Sequence, residues 1–146
     1  HMSTPHRSLY DALQALFAGW RMPRMVNDVE QRFDMRDVDA HYSALATRFG
    51  FPIAPSPAAF AVAADGLLAT DSTGALAIMR RAVLEYPYLA GPHRQLAEAL
   101  ERLGRKEEAL LEYERAVRAA VDDEQPFSNP IDEYRAKLKA LARNPN

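Results

Sequence analysis

The chain has 146 residues, 48% of them apolar and 26% charged, which suits one domain of a globular protein. Its net charge of −2 offers no basic footprint for nucleic acid or an anionic membrane, and the lack of cysteine excludes disulfides, thiol nucleophiles and Cys-based zinc sites. No apolar run approaches the roughly 20 residues that span a bilayer and no signal peptide is visible, so a cytoplasmic location is expected.

A first helix is expected over residues 8–20, with Ser8 as N-cap and with Gly19 and Pro23 bracketing its end. Leu9, Leu13, Leu16, Phe17 and Trp20 recur at helical spacing on one face. Residues 21–34 are mixed in charge and weakly periodic, a loop with room for a short helix between Met25 and Phe33. Asp34 then caps a second helix over residues 35–48, with Val38, Tyr42, Leu45 and Phe49 on its apolar side and Gly50 as its C′ glycine. Three prolines make residues 51–57 an extended connector, because proline removes a donor and biases its predecessor away from helix. Helices follow over residues 57–69, 73–86, 91–103 and 106–121, with Gly104 closing the turn inside the second pair. Beyond a polar loop, residues 122–130, Asn129-Pro130 starts a last helix over residues 131–142 as N-cap followed by proline at N1. Tyr134, Leu138 and Leu141 form its apolar side.

The four middle helices are one unit written twice. A shift of 34 residues places Ala63 on Ala97, Ala75 on Ala109, Leu76 on Leu110, Arg81 on Arg115, Ala82 on Ala116 and Val83 on Val117. With Ser56 and Ala90 as first positions, small residues stand at positions 8, 20 and 27 of both units. These are the places where two helices of a tetratricopeptide (TPR) unit cross closely, and a larger side chain there would force them apart. Pro87 ends the first unit, whereas Val121 stands at the same place in the second and lets its last helix run on. The resemblance to TPR proteins implies an all-α, right-handed helical array: two N-terminal helices, two TPR helix pairs and one capping helix. The divisions are residues 1–55, 56–121 and 122–146. Since three or more repeats usually build a continuous core, the two N-terminal helices are expected to supply the missing face.

Residues suited to chemistry are sparse. His1, His6, His41 and His93 form no metal-ligand spacing, and His41 and His93 read as structural histidines within helices. No glycine-rich phosphate loop and no Gly-x-Ser-x-Gly elbow is present. Ser3, Ser8, Ser43, Ser56, Ser72 and Ser128 fit caps, turns or surface, and Met22, Met25 and Met35 fit packing. Carboxylates such as Glu108 and Glu112, near Arg115, have the spacing of solvated helix faces. No cofactor and no metal is expected.

In TPR units the first helices line a concave surface. Here that surface would carry Pro57, Phe60, Ala64, Leu67 and Leu68 from one unit and Gly91, Arg94, Glu98, Glu101 and Arg102 from the other. Phe60, Leu67, Arg94, Glu98 and Arg102 are thus the candidate peptide-binding residues. Phe60, Leu67 and Leu68 have a second reading, packing against the Tyr42 helix. The Lys and Asn with which carboxylate-clamp TPR domains hold chaperone C-termini are absent, Phe60, Ala64, Arg94 and Glu98 standing in their places.

The N-terminal stretch has a resemblance of its own. The run from His1 through Ser8-Leu9-Tyr10-Asp11-Ala12-Leu13 to Phe17-Ala18-Gly19-Trp20 is similar to the end of a bacterial α/β-hydrolase family, the esterases related to siderophore (enterobactin-type) esterases. In that family a catalytic histidine is followed by a Leu/Ile-Tyr-Asp-x-Leu helix ending near Gly-Trp or Gly-Tyr. Some members continue with a segment resembling His41-Tyr42-x-x-Leu45, then Phe49-Gly50-Phe51, a proline-containing linker and TPR units. His1 matches the family's catalytic histidine if it is native; His1-Met2 is also the pair an expression vector leaves behind. The catalytic sheet, nucleophile and acid of that family are not in this chain, so no catalysis is expected from it alone. The implied function is a protein-interaction module, the C-terminal non-catalytic portion of an esterase; the alternative is a free-standing TPR adaptor beginning at Met2. Expected partners are a protein or peptide, or a second copy through the Leu9–Trp20 helix, and neither nucleic acid nor membrane.

Overall fold

The structure, a computed structural model, describes residues 4–20, 34–122 and 131–143, with side chains over 8–20, 34–121 and 131–143. His1, the short helix between Met25 and Phe33, residues 123–130 of the expected polar loop, the Asn129-Pro130 helix start, Ser3, Met22 and Ser128, and the side chain of His6, lie outside the described residues; Asp122, expected to open that loop, is the last residue of a helix. Among the described residues the chain is all-helical, with seven helices and no strand.

Helix α1 (Thr4–Leu16) starts four residues earlier than expected, so Ser8 is not its N-cap but lies inside it. Pro5 explains the difference: in a first turn its missing N–H leaves no bond unmade and its fixed φ favours helix. The helix stops in a turn containing Gly19 at φ +78°. Its orphan carbonyls are capped from a distance by the Arg48 guanidinium, which donates to Leu16 O at 3.0 Å, to Ala15 O at 3.3 Å and to Ala18 O. Trp20 stacks edge-on against Phe17 and Phe49 at 5.6 and 5.2 Å between centroids.

Helix α2 (Met35–Phe49) is capped as its sequence dictates. Asp34 Oδ1 accepts from Arg36 N at 3.0 Å, and Gly50 takes the left-handed conformation at φ +75°. Val38 and Leu45 are buried and Tyr42 half-buried. The connector has no regular structure, and the Pro55 carbonyl in it accepts from Tyr86 Oη at 3.0 Å.

Two helix pairs follow: α3 (Pro57–Leu67) with α4 (Ser72–Glu85), and α5 (Ala90–Arg102) with α6 (Lys106–Asp122). Ser56 Oγ caps α3 through Ala59 N at 3.3 Å, with Pro57 at its start. Asp71 caps α4 through Gly74 N at 2.9 Å. Gly104, at φ +73°, reverses the chain between α5 and α6, where Arg105 N bonds back to Leu100 O. Each helix packs on the next: α2 on α3, α3 on α4, α4 on α5, α5 on α6, and α6 on α7 (Ile131–Arg143), with α3 also meeting α5.

The aligned small residues are all in the interior. Ala63, Ala97, Ala75, Ala109, Ala82 and Ala116 are all buried, none more than 3% exposed. The main core joins Val38 of α2 with Phe60, Leu76, Met79, Leu96, Leu100 and Tyr113, and reaches Leu141 of α7. A smaller cluster of Ala116, Ala120 and Tyr134 seals α6 to α7.

Candidate peptide-binding groove

Helices α3 and α5, with Met79 of α4, line an open pocket of about 170 Å³. Arg94, Glu98 and Arg102 of α5 line it, spaced so that one stripe of the helix presents all three, and Asp65 and Leu68 of α3 stand opposite. Three of the candidate residues are therefore brought together. The other two are not. Phe60 is fully buried in the core, with the Arg81 guanidinium 5.3 Å over its ring, and cannot line an open groove. Leu67 is half-buried against the same core. Helix α2 is the reason. Its Val38 and Tyr42 cover this end of α3, and Asp39 locks to Arg81 at 2.8 Å.

Within the pocket the charges are already largely matched. Arg94 Nη1 donates to Glu98 Oε1 at 2.7 Å. Burial alone would lower the Arg94 pKa, but Glu98, with its hydrogen bond and charge, outweighs it and holds the guanidinium above its ordinary value. Glu101 is turned the other way: it accepts from the Tyr113 hydroxyl at 3.0 Å and pairs with Lys137 of α7 at 3.5 Å. Burial, and then the hydrogen bond to Glu101, push the Tyr113 phenol well above its usual range, so it stays protonated and donates to Glu101. Arg102 is exposed, and among the described residues no carboxylate pairs with it. The pocket thus offers one open cation beside the apolar Leu68 and an exposed Asp65.

A second polar group departs from expectation. Glu112 does not sit on a solvated face; it is buried, and so is His93. Glu112 Oε2 lies 2.7 Å from His93 Nδ1, while Oε1 accepts from Arg115 at 2.5 Å. His93 Nε2 faces the Pro87 carbonyl at 3.1 Å. Two acceptors face the two ring nitrogens, a pattern that imidazolium satisfies fully and that leaves neither nitrogen for a metal or a substrate proton. Burial would raise the Glu112 carboxyl, yet the His93 hydrogen bond and the Arg115 charge prevail and hold it below its ordinary value. The signal was present in the repeat: the shift of 34 residues places Glu112 on Ile78 and His93 on Ala59, so a carboxylate stands where the other unit buries a hydrocarbon.

His41 is structural, its Nε2 3.4 Å from the Trp20 carbonyl and its ring edge-on to Tyr42. Among the described residues no group of three or more His, Asp or Glu side chains could hold a metal ion, and no helix is long and apolar enough to cross a membrane. No family model, curated protein or solved structure matches this chain significantly.

Proposed function

We propose that this chain is a TPR-type protein-interaction module and the C-terminal, non-catalytic portion of an esterase. The observation that carries the binding role is the α3–α5 pocket, in which Glu98 is satisfied by Arg94 and Arg102 is left open. The sequential packing of helix pairs and the burial of all six aligned alanines support the repeat assignment. The ligand is a peptide with a carboxylate for Arg102 and a small apolar group for Leu68. Selection of a random twelve-residue peptide library on the immobilised chain tests it. Enriched acidic peptides should lose at least tenfold in affinity for the Arg94→Glu/Arg102→Glu variant; peptides indifferent to that variant would remove the pocket as the site.

The hydrolase connection rests on the N-terminal motifs and is favoured over the free-standing adaptor by α1. Leu9, Leu13, Leu16, Phe17 and Trp20 are between 38% and 59% exposed. A helix that closes an α/β-hydrolase sheet would leave this face bare in the absence of the sheet, whereas an adaptor would cover it within its own chain. Half-exposed, with Phe17 and Trp20 resting on Phe49, it should pair with its copy in a symmetric dimer. Light scattering at micromolar concentration should give twice the monomer mass; a clean monomer with Trp20 protected from quencher would favour the adaptor.

A further inference from the structure

Helices α4 and α6 both pack on α5 but not closely on each other. A trough lies between them, made of two hollows of about 560 and 380 Å³ that share Val83, Leu84 and Arg115. Its surfaces are unusually apolar for an open face: Leu84 is 80% exposed, Tyr88 67% and Leu111 54%. Its charge is uneven. At one end Arg80 reaches across to Glu108 at 3.2 Å, bridging the two helices, and Glu108 also pairs with Arg105 of the preceding turn at 2.6 Å. At the other, around Tyr88, the walls carry Arg115 and Arg118 and no carboxylate. Among the described residues no carboxylate pairs with Arg118. Arg115 is half-exposed and steadied from below by buried Glu112, whose other oxygen lies against His93.

We propose that this trough is a second docking site, separate from the α3–α5 pocket, for a segment of a partner protein with an apolar anchor followed by carboxylates. The anchor covers Leu84 and Leu111, and the carboxylates meet Arg115 and Arg118, which stand three apart on one face of α6. Charge complementarity selects that occupant, since a basic segment would face Arg118, which no carboxylate pairs with among the described residues, beside Arg115 with its one buried partner Glu112, and a neutral segment would leave Arg118 desolvated. Arg115 suits the role because its guanidinium is already oriented, which lowers the ordering cost of binding. The concave shape and the chain's net charge of −2 favour a peptide over a lipid surface.

The test selects a random twelve-residue peptide library on the Arg94→Glu/Arg102→Glu variant, where the first pocket is disabled. Enriched peptides should combine an aliphatic or aromatic residue with two acids and lose at least tenfold in affinity when Leu84→Asp is added. Arg118→Glu alone, at an exposed position, should give a similar loss and should be rescued by replacing the peptide's acids with lysine. Circular dichroism and melting of each variant separate lost binding from lost fold. Enriched peptides without acids, or insensitive to both substitutions, overturn the proposal. So does a failure to enrich any peptide. Binding of phosphatidylserine vesicles lost with Arg118→Glu while no peptide competes would make the face a membrane contact, and a change of oligomeric state with Leu84→Asp without peptide binding would make it a self-contact; either overturns it.

Discussion

The two helix pairs share a register and little chemistry. Where α3–α4 carries Phe60, Ala64 and Ile78, α5–α6 carries Arg94, Glu98 and Glu112 at the same places. The common alanines are buried in both, so helix approach is set by the small residues and the remaining positions are free to differ. Phe60 became core because α2 lies over it. Arg94, its counterpart, meets only the hydroxyl of Tyr134 and its neighbour Glu98, and stays in an open pocket. Ile78 is buried as hydrocarbon, whereas Glu112 is buried as part of a charged cluster with His93 and Arg115. One architecture thus accommodates an apolar and a polar version of the same unit, and the neighbouring element decides which positions stay open.

The largest effect should come from the pair Phe60 and Arg94. Phe60→Ala removes a fully buried ring and should cost about 3–5 kcal/mol. Arg94→Ala, at the same register, breaks a half-exposed pair and should cost no more than about 1 kcal/mol. Urea unfolding of both measures the asymmetry, and equal losses would show that the units are not divided into core and site.

The buried polar cluster can be rewritten in the language of the other unit. Glu112→Ile alone leaves His93 Nδ1 buried without its acceptor and should destabilise by about 1–3 kcal/mol. Adding His93→Ala copies both residues of the first pair and should recover most of the loss, because an apolar replacement of a buried pair is often neutral. A double variant no more stable than the single would mean that the cluster's positions are not interchangeable with Ala59 and Ile78.

The shared positions should respond alike. Ala82→Leu and Ala116→Leu each push methylenes into a packed crossing and should each cost about 1–3 kcal/mol in thermal melts. A melt unchanged at either position would break the register of the comparison at that unit.

Acid should distinguish the pairs more gently. The Glu112 pKa is lower folded than its ordinary 4.5, so the folded state holds this carboxylate ionised where the unfolded chain begins to protonate. Its contribution to stability is complete above that ordinary value and fades as pH falls through the folded value. The Glu112→Ile/His93→Ala variant should therefore lose less stability than the parent as the pH is lowered below 4.5, followed by circular dichroism at fixed urea. Parallel curves would mean that other carboxylates carry the acid sensitivity.

What the sequence determined by itself is local and periodic. Asp34 and Gly50 bound α2, Ser56-Pro57 opens α3 and Gly104 turns α5 into α6, because caps and left-handed glycines act within a few residues of their own position. The period of 34 residues picked out six alanines that are all buried, since small side chains suit positions where two backbones come close. Only the tertiary structure decided which side of each helix is covered. Phe60 has the pattern of a groove residue until α2 is laid on it, and Glu112 has the spacing of a surface carboxylate until α5 brings His93 against it. The Arg48 cap on α1 joins groups thirty and more residues apart. Burial and long-range pairing depend on which elements become neighbours, and helical periodicity carries no information about the partner.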